Sequence, residues 1–209
     1  DKPLFSAVFC DVVETLTDAQ GKVPENYANV LHYMAQSVPL YLATSLSVEQ
    51  ARRKLGKTLF SLFKGGAFGD GGLLLYDGRN RCLSVELLTD VNGASAKITA
   101  HSYEGQGYKD SMLVYDKEER INILSRLKEK PYQVFYKPPL ITVIHKEVDK
   151  RKGVLHICKA LAFPLDQVLV VGNSLKDWEM MSVVSHSCAV MNSEPFLTEH
   201  ARYTLNPDR

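Results

Sequence analysis

The stretch FSAVFCDVVETL, residues 5–16, decides the fold of this chain. Its first half, Phe5–Cys10, is a short apolar run rich in residues that favour β-strands, and Asp11 follows it directly. An apolar run of this length that ends in a polar residue is typical of a buried parallel strand. Because ligands collect at the carboxyl ends of the strands in an open parallel sheet, we expect Asp11 and Thr15 to lie at a functional edge.

Strand and helix signals alternate after this first strand. A second apolar run, Val38–Ala43, ends at Thr44 and Ser45. Ser47 and Gln50 then form a capping-box pattern, which predicts the start of a helix. A repeated strand–helix order is the signature of a parallel sheet with right-handed crossovers, so we predict the α/β class.

The regular pattern stops at a glycine-rich stretch, Lys64–Gly72, which predicts a hinge or tight turns. Short strand-like runs then surround one helical segment, Lys117–Lys130. This texture is typical of an α+β insert, and we predict it over residues 66–147. Residues 1–65 and 148–209 should together form the core domain.

The strand–helix pattern resumes in the last third of the chain. Gln167–Val171 is a very apolar strand, and Asn173 and Asp177 follow it. Lys152 precedes another predicted helix. A carboxylate, hydroxyls, a lysine and a second carboxylate at one edge of a sheet form a set suited to phosphoryl transfer, in which the acid attacks and the other groups hold the charge.

The composition excludes some classes of function. The chain has 25 basic and 24 acidic side chains and a net charge of +1, so we expect neither nucleic acid nor an anionic membrane as a partner. The four cysteines are scattered with no Cys-x-x-Cys pair, which favours the cytoplasm or another reducing compartment. No basic segment followed by an apolar stretch opens the chain, so no signal peptide is visible.

Four motifs in order resemble those of the haloacid dehalogenase (HAD) superfamily, and in particular its Cof-type phosphatase-like subgroup. They are DVVETL (residues 11–16), LATS (42–45), DKRKGVL (149–155) and GNSLKD (172–177). The resemblance spans nearly the whole chain. It implies a HAD-like Rossmannoid parallel-sheet core with an inserted α+β cap.

The resemblance also implies roles for individual residues. Asp11 matches the phosphoryl-accepting nucleophile, Thr44 the phosphate-binding hydroxyl, and Lys152 the lysine that steadies nucleophile and phosphate. Asp177 matches a Mg²⁺-binding carboxylate, so Asp11 and Asp177 are the candidate metal ligands. The candidate substrate-binding residues are Thr15, Ser45, Asn173 and Lys176.

Two departures from the family pattern affect the expected function. Val13 stands where the phosphatases carry their acid/base Asp, and Asn173 stands where an Asp helps to hold Mg²⁺. We therefore expect a phosphatase-like protein, or pseudoenzyme, whose phosphomonoester hydrolysis is weak or lost. The alternatives are an active hydrolase of a small phosphorylated metabolite, such as a sugar phosphate, and a HAD enzyme with altered chemistry.

The resemblance implies Mg²⁺ as the cofactor, and counting charges predicts that it binds weakly or not at all here. Of the four expected carboxylates two remain, and Lys152 and Lys176 could offset both if they turn inward. Each lysine can also be interpreted as a solvated surface residue. The inward and the surface interpretation remain alternatives at this point. The partner is then a small phosphorylated metabolite or another protein.

Overall fold

The computed structural model describes residues 4–76, 79–82, 97–103, 106–127, 132–146 and 148–205. The chain divides into two compact units. The first consists of Asp1–Arg81 and Lys150–Arg209, and the second of Cys82–Asp149. In the part of the chain that is described, no helix is both long and apolar enough to cross a bilayer.

The first unit is built on an eight-stranded sheet. Its strands are β1 (Ala7–Cys10), β2 (Leu40–Ala43), β3 (Phe63–Phe68), β4 (Leu73–Tyr76), β5 (Arg79–Cys82), β10 (Val168–Gly172), β11 (His186–Ala189) and β12 (Tyr203–Thr204). They lie in the order β12-β11-β10-β1-β2-β3-β4-β5. The strands from β12 to β3 pair in parallel, whereas β4 runs antiparallel to β3. This mostly parallel sheet confirms the predicted α/β class.

Helices cover the two faces of this sheet. They are α1 (Glu25–Met34), α2 (Val48–Phe60), α4 (Lys150–Leu161), α5 (Leu175–Met181) and α6 (Pro195–His200). The predicted capping box at the start of α2 is confirmed: the Gln50 N–H donates to Ser47 Oγ at 3.2 Å, and the Ser47 N–H donates to Gln50 Oε1 at 2.9 Å.

The two faces of the sheet are lined by different side chains, because successive strand residues point to opposite sides. Ala7 and Phe9 belong to the main core cluster, together with buried residues of α4, α5 and α6. Val8 and Cys10 point the other way and line an apolar cavity of about 240 Å³ beside α1. Leu31 is the buried residue of α1 on this face.

The second unit has an antiparallel sheet of its own. Its strands are β6 (Lys97–Tyr103), β7 (Gln106–Leu113), β8 (Tyr132–Lys137) and β9 (Leu140–His145), in the order β6-β7-β9-β8, and its helix is α3 (Lys117–Leu127). Ile123 and Leu127 of α3 are buried in one cluster with Val114, Ile141 and Val143. Its described residues therefore form an α+β unit with a small core.

The boundary between the units differs from the predicted one. The first unit runs to Arg81 rather than to residue 65, because β3, β4 and β5 extend the central sheet. The glycine stretch predicted as a hinge or turns is partly a strand. A Cβ atom at Gly66 would lie 2.4 Å from the carbonyl oxygen of Leu42, so only glycine lets β3 come this close to β2.

Candidate active site

Asp11 lies at the carboxyl edge of the sheet, directly after β1. The Asp11 N–H donates to the carbonyl oxygen of Val171 at 3.0 Å, which continues the pairing of β1 with β10 by one residue. The Asp11 side chain is only 6% exposed. A carboxylate this deeply buried needs charged or hydrogen-bonding partners close by.

Lys150, the first residue of α4, provides the main partner. Its Nζ atom lies 2.8 Å from Asp11 Oδ1 and 2.8 Å from Asp177 Oδ1. Lys150 is 6% exposed and Asp177 is fully buried. One buried ammonium group therefore bridges two buried carboxylates that are far apart in sequence, an arrangement we call the Lys150 bridge.

The motif suggested Lys152 for this position, but the structure places Lys150 there. Lys152 is exposed. Residues two apart on a helix do not share a face, so the two lysines cannot both point into the site. A signal in the sequence could have found the right one. Lys150 lies four and seven residues before the apolar Val154 and Ile157, a helical spacing that places all three on one face, and the structure shows that this face is buried.

Asp177 is fixed by the loop between β10 and α5. Its Oδ2 atom accepts hydrogen bonds from the N–H groups of Asn173 and Ser174, at 3.0 and 3.1 Å, and from Ser174 Oγ at 3.1 Å. The side chain lies directly over Gly172, where a Cβ atom would come within 2.4 Å of the Asp177 Cβ. The glycine after β10 therefore makes room for this carboxylate.

Thr15 links Asp11 to Asn173. Its hydroxyl group lies 3.1 Å from Asp11 Oδ2 and 3.0 Å from Asn173 Oδ1. A hydroxyl carries one hydrogen and so donates to one of these oxygens at a time. Thr15 and Asn173 are both buried, at 1% and 8% exposed, so the predicted site residues Asp11, Thr15, Asn173 and Asp177 come together as one cluster with Lys150.

The pKa values of Asp11 and Lys150 are both raised in the bridge, but for different reasons. Burial raises the pKa of Asp11 to about 6 and Asp177 adds to the rise, although Lys150 opposes it. Burial alone would lower the pKa of Lys150, but the carboxylates of Asp11, Asp177 and Asp70 outweigh it and raise the pKa above its usual value. Lys150 therefore stays charged over the physiological range.

Asp70 is a member of the site that sequence reasoning missed. It lies in the 3₁₀ turn Gly69–Gly71 between β3 and β4, is 6% exposed, and acts on Lys150 through its charge. Its N–H donates to the carbonyl oxygen of Thr44 at 2.9 Å. The signal was the aspartate flanked by glycines in the stretch predicted as a hinge.

The remaining predicted residues occupy the edge of the site to different extents. Thr44 is fully buried at the end of β2, where its Oγ1 accepts a hydrogen bond from the Leu46 N–H at 3.1 Å, and Ser45 is half-buried. Lys176 is exposed on the first turn of α5. Lys152 and Lys176 are therefore not the inward pair that charge counting allowed. Lys150 takes that place instead, near the acids Asp11, Asp70 and Asp177.

The loop after Asp11 is a turn rather than an extension of β1. The N–H groups of Thr15, Leu16 and Thr17 all point at the carbonyl oxygen of Val12, and Glu14 has a φ of 56°. The side chains after Asp11 therefore do not alternate between the two faces of the sheet, as they would in a strand. Val13 is half-buried and Glu14 is exposed.

The donor set offers Mg²⁺ fewer carboxylates than the resemblance implies, since Asn173 supplies an amide beside Asp11 and Asp177. Each oxygen of Asp11 and Asp177 already lies within hydrogen-bonding distance of a protein donor. In the described residues no group of three or more His, Cys, Asp or Glu side chains is arranged to hold a metal ion. A hard cation needs several oxygen ligands turned towards it.

The fold and the site define an α/β protein of the Rossmann type with a buried carboxylate–lysine cluster at the carboxyl edge of its sheet. The sequence model of the haloacid dehalogenase-like hydrolase family matches residues 90–208, more than half of the chain. The chain therefore belongs to this family, as its motifs suggested. No curated protein matches it in sequence.

Solved structures share the fold of this chain. The chain is similar to a haloacid dehalogenase-like hydrolase from Bacteroides thetaiotaomicron, with a TM-score of 0.82, 13% identity, and coverage of 96% of this chain and 93% of that one. A protein from Geobacillus kaustophilus gives a TM-score of 0.80 at 16% identity, covering 96% and 92%. A sugar phosphatase of HAD subclass IIB gives 0.75 at 13% identity, covering 97% and 94%. At these identities the likeness supports the HAD-like fold.

Proposed function

We propose that this protein is a phosphatase-like HAD member whose phosphomonoester hydrolysis is weak or lost. The observation that carries the proposal is the pair of departures at the site: half-buried Val13 and the amide of Asn173, whose Oδ1 lies 3.0 Å from the Thr15 hydroxyl, stand where the family has carboxylates. The Lys150 bridge keeps Asp11 beside a buried cation, so the site retains its architecture and lacks part of its chemistry.

The first step of the family reaction needs a nucleophile and a stabilised leaving group. An Asp11 oxygen would form a bond to phosphorus while the ester P–O bond breaks and its electrons pass to the leaving oxygen. That oxygen needs a proton. Val13 cannot supply one, and losing general acid–base catalysis typically costs roughly 10²–10⁴-fold in rate.

Weak or absent Mg²⁺ binding is part of the proposal. With Asp11, Asp70 and Asp177 around Lys150, the charge of the cluster would attract a cation. Lys150 would nevertheless repel an ion beside Asp11 Oδ1 or Asp177 Oδ1, and Asn173 offers it an amide where the family has a carboxylate. With two carboxylates of the implied four and a buried ammonium between them, the site favours Mg²⁺ less than the family pattern does.

A second candidate is an active hydrolase of a small phosphorylated metabolite. The contact of Asp11 with a buried lysine favours it, because this contact is what a phosphoryl-accepting carboxylate requires. In that case the acid comes from a residue outside the matching motif position. If the protein is instead a pseudoenzyme, binding to another protein would be the reason that the fold is retained.

A turnover assay separates these proposals. Release of inorganic phosphate is measured from aryl, sugar and other alkyl phosphate esters, with and without millimolar Mg²⁺. We expect very slow hydrolysis of the aryl ester, slower still for the alkyl esters, and little response to the metal. Turnover in the ordinary enzyme range of about 1–10³ per second that is abolished in Asp11→Asn would establish the second candidate instead.

Magnesium binding is measured separately by calorimetric titration of the wild-type protein and of Asp177→Asn. We expect no heat of binding at micromolar metal in either protein. Tight binding to the wild type that is lost in Asp177→Asn would contradict this part of the proposal, whatever the turnover assay shows.

A further inference from the structure

The turn Gly69–Gly71 is anchored to the segment that follows β2. The Gly69 N–H donates to the carbonyl oxygen of Leu46 at 2.8 Å, and the Asp70 N–H donates to that of Thr44 at 2.9 Å. All three residues of the turn are buried. The backbone of Asp70 is therefore fixed relative to the carboxyl edge of the sheet.

The same turn packs against the start of α4. A Cβ atom built on Gly153 would lie 3.3 Å from the Cα of Gly71 and 2.7 Å from the Cβ of Ala67. Lys150 lies on this first stretch of α4, three residues before Gly153. The turn that carries Asp70 thus lies beside the helix start that carries Lys150.

Asp70 occupies this place at an energetic cost. Its φ of 59° and ψ of 26° are in the left-handed region, which Asp and Asn tolerate better than most residues. A carboxylate that is only 6% exposed also loses most of its hydration. Both costs are offset when a cation lies close, and the charge of Asp70 acts on Lys150.

We propose that Asp70 is a positioning residue, which holds the Lys150 ammonium group in its bridge between Asp11 and Asp177. A lysine ammonium has three N–H donors, and two of them are accounted for by the contacts of 2.8 Å. A third carboxylate on the side of the Gly69–Gly71 turn restrains the remaining freedom of the side chain. The inference concerns how the cluster is held and does not depend on whether the protein turns over a substrate.

The test is the nuclear magnetic resonance signal of the Lys150 ammonium in protein labelled with ¹⁵N-lysine. A buried, bridged ammonium exchanges its hydrogens with water slowly, and its signal is assigned by its disappearance in Lys150→Arg. Asp70→Asn keeps the size and the left-handed preference of the residue and removes only the charge. We expect exchange to accelerate on the order of tenfold, because the ammonium group loses one of the three negative charges that hold it.

Asp166→Asn is the matched control, because Asp166 is an exposed acid in the same unit and its loss should leave the signal unchanged. Asp70→Gly, which also accepts a positive φ, repeats the test if the Asn variant melts early. An unchanged Lys150 signal in a folded Asp70 variant would overturn the proposal. So would equal acceleration in Asp166→Asn, or a wild-type protein with no protected ammonium signal.

Discussion

The two carboxylates of the Lys150 bridge are held in different ways. Asp177 Oδ2 accepts hydrogen bonds from two backbone N–H groups and one hydroxyl, all supplied by the residues just before it in the chain. Asp11 Oδ2 lies beside the hydroxyl of Thr15, and the Asp11 carboxylate also accepts a backbone hydrogen bond from Val12, in a turn where Glu14 has a positive φ. Asp177 thus has more backbone donors than Asp11, which relies more on the side chains of Thr15 and Lys150.

This difference relates to where the family pattern has changed. The two substitutions are Val13, two residues after Asp11, and Asn173, whose side chain is linked to Asp11 through Thr15. The backbone donors of Asp177 do not depend on the type of side chain at position 173. The Asp177 side could therefore keep its geometry while the chemistry around Asp11 changed.

Restoring the missing acids should have the largest effect. We expect the double variant Val13→Asp with Asn173→Asp to hydrolyse an aryl phosphate faster than the wild type by roughly 10²–10⁴-fold, since general acid–base catalysis contributes about that much. Phosphate release in saturating Mg²⁺ measures it, and the same pair of substitutions in an Asp11→Asn background is the control. No gain in the double variant would show that the Asp11 side has lost more than these two acids.

Removing the cation should break both sides at once. Lys150→Met leaves Asp11 and Asp177 buried without their common partner, and breaking a buried ion pair in this way costs about 3–5 kcal/mol. Urea unfolding at neutral pH gives the change in the free energy of unfolding. Lys152→Met, two residues away and exposed, should cost less than about 1 kcal/mol. Equal costs at the two positions would contradict the assignment of Lys150 to the bridge.

Crowding the Asp177 side tests how rigid it is. Gly172→Ala places a methyl group within 2.4 Å of the Asp177 Cβ, so we expect a loss of about 1–3 kcal/mol, as for other overpacked sites. Gly56→Ala is the comparison, because its φ of 75° makes alanine strained while no atom lies within 4 Å of the new Cβ. Thermal melts of both variants separate the steric cost from the backbone cost. A Gly172→Ala variant as stable as the wild type would mean that the loop yields.

The smallest effects compare one hydroxyl on each side. Thr15→Val removes the hydroxyl beside Asp11 Oδ2, and we expect a cost of about 1.5–3 kcal/mol because the bond is to a charged group. Ser174→Ala leaves Asp177 Oδ2 with its two backbone donors, so about 0.5–1.5 kcal/mol should be lost. Both are measured by urea unfolding. If Ser174→Ala costs more than Thr15→Val, the contrast between the two sides is wrong.

Much of the fold could be predicted from short stretches of the sequence. The apolar runs that end in Asp11 and in Thr44 predicted neighbouring parallel strands, and Ser47 with Gln50 predicted the start of α2. Local chemistry decides these features: a buried strand needs apolar side chains, and a helix start needs capping groups. The match of motifs in order along the chain also predicted the family.

The tertiary structure decided which charged residues meet. Lys150 and Lys152 are the same residue type two positions apart, and their difference in burial depends on which face of α4 packs against the turn at Gly71. Asp70 joined the cluster because β3 and β4 extend the sheet and carry the turn between them to the site. Burial and charge pairing depend on contacts between distant segments, so residue type and spacing alone could not determine them.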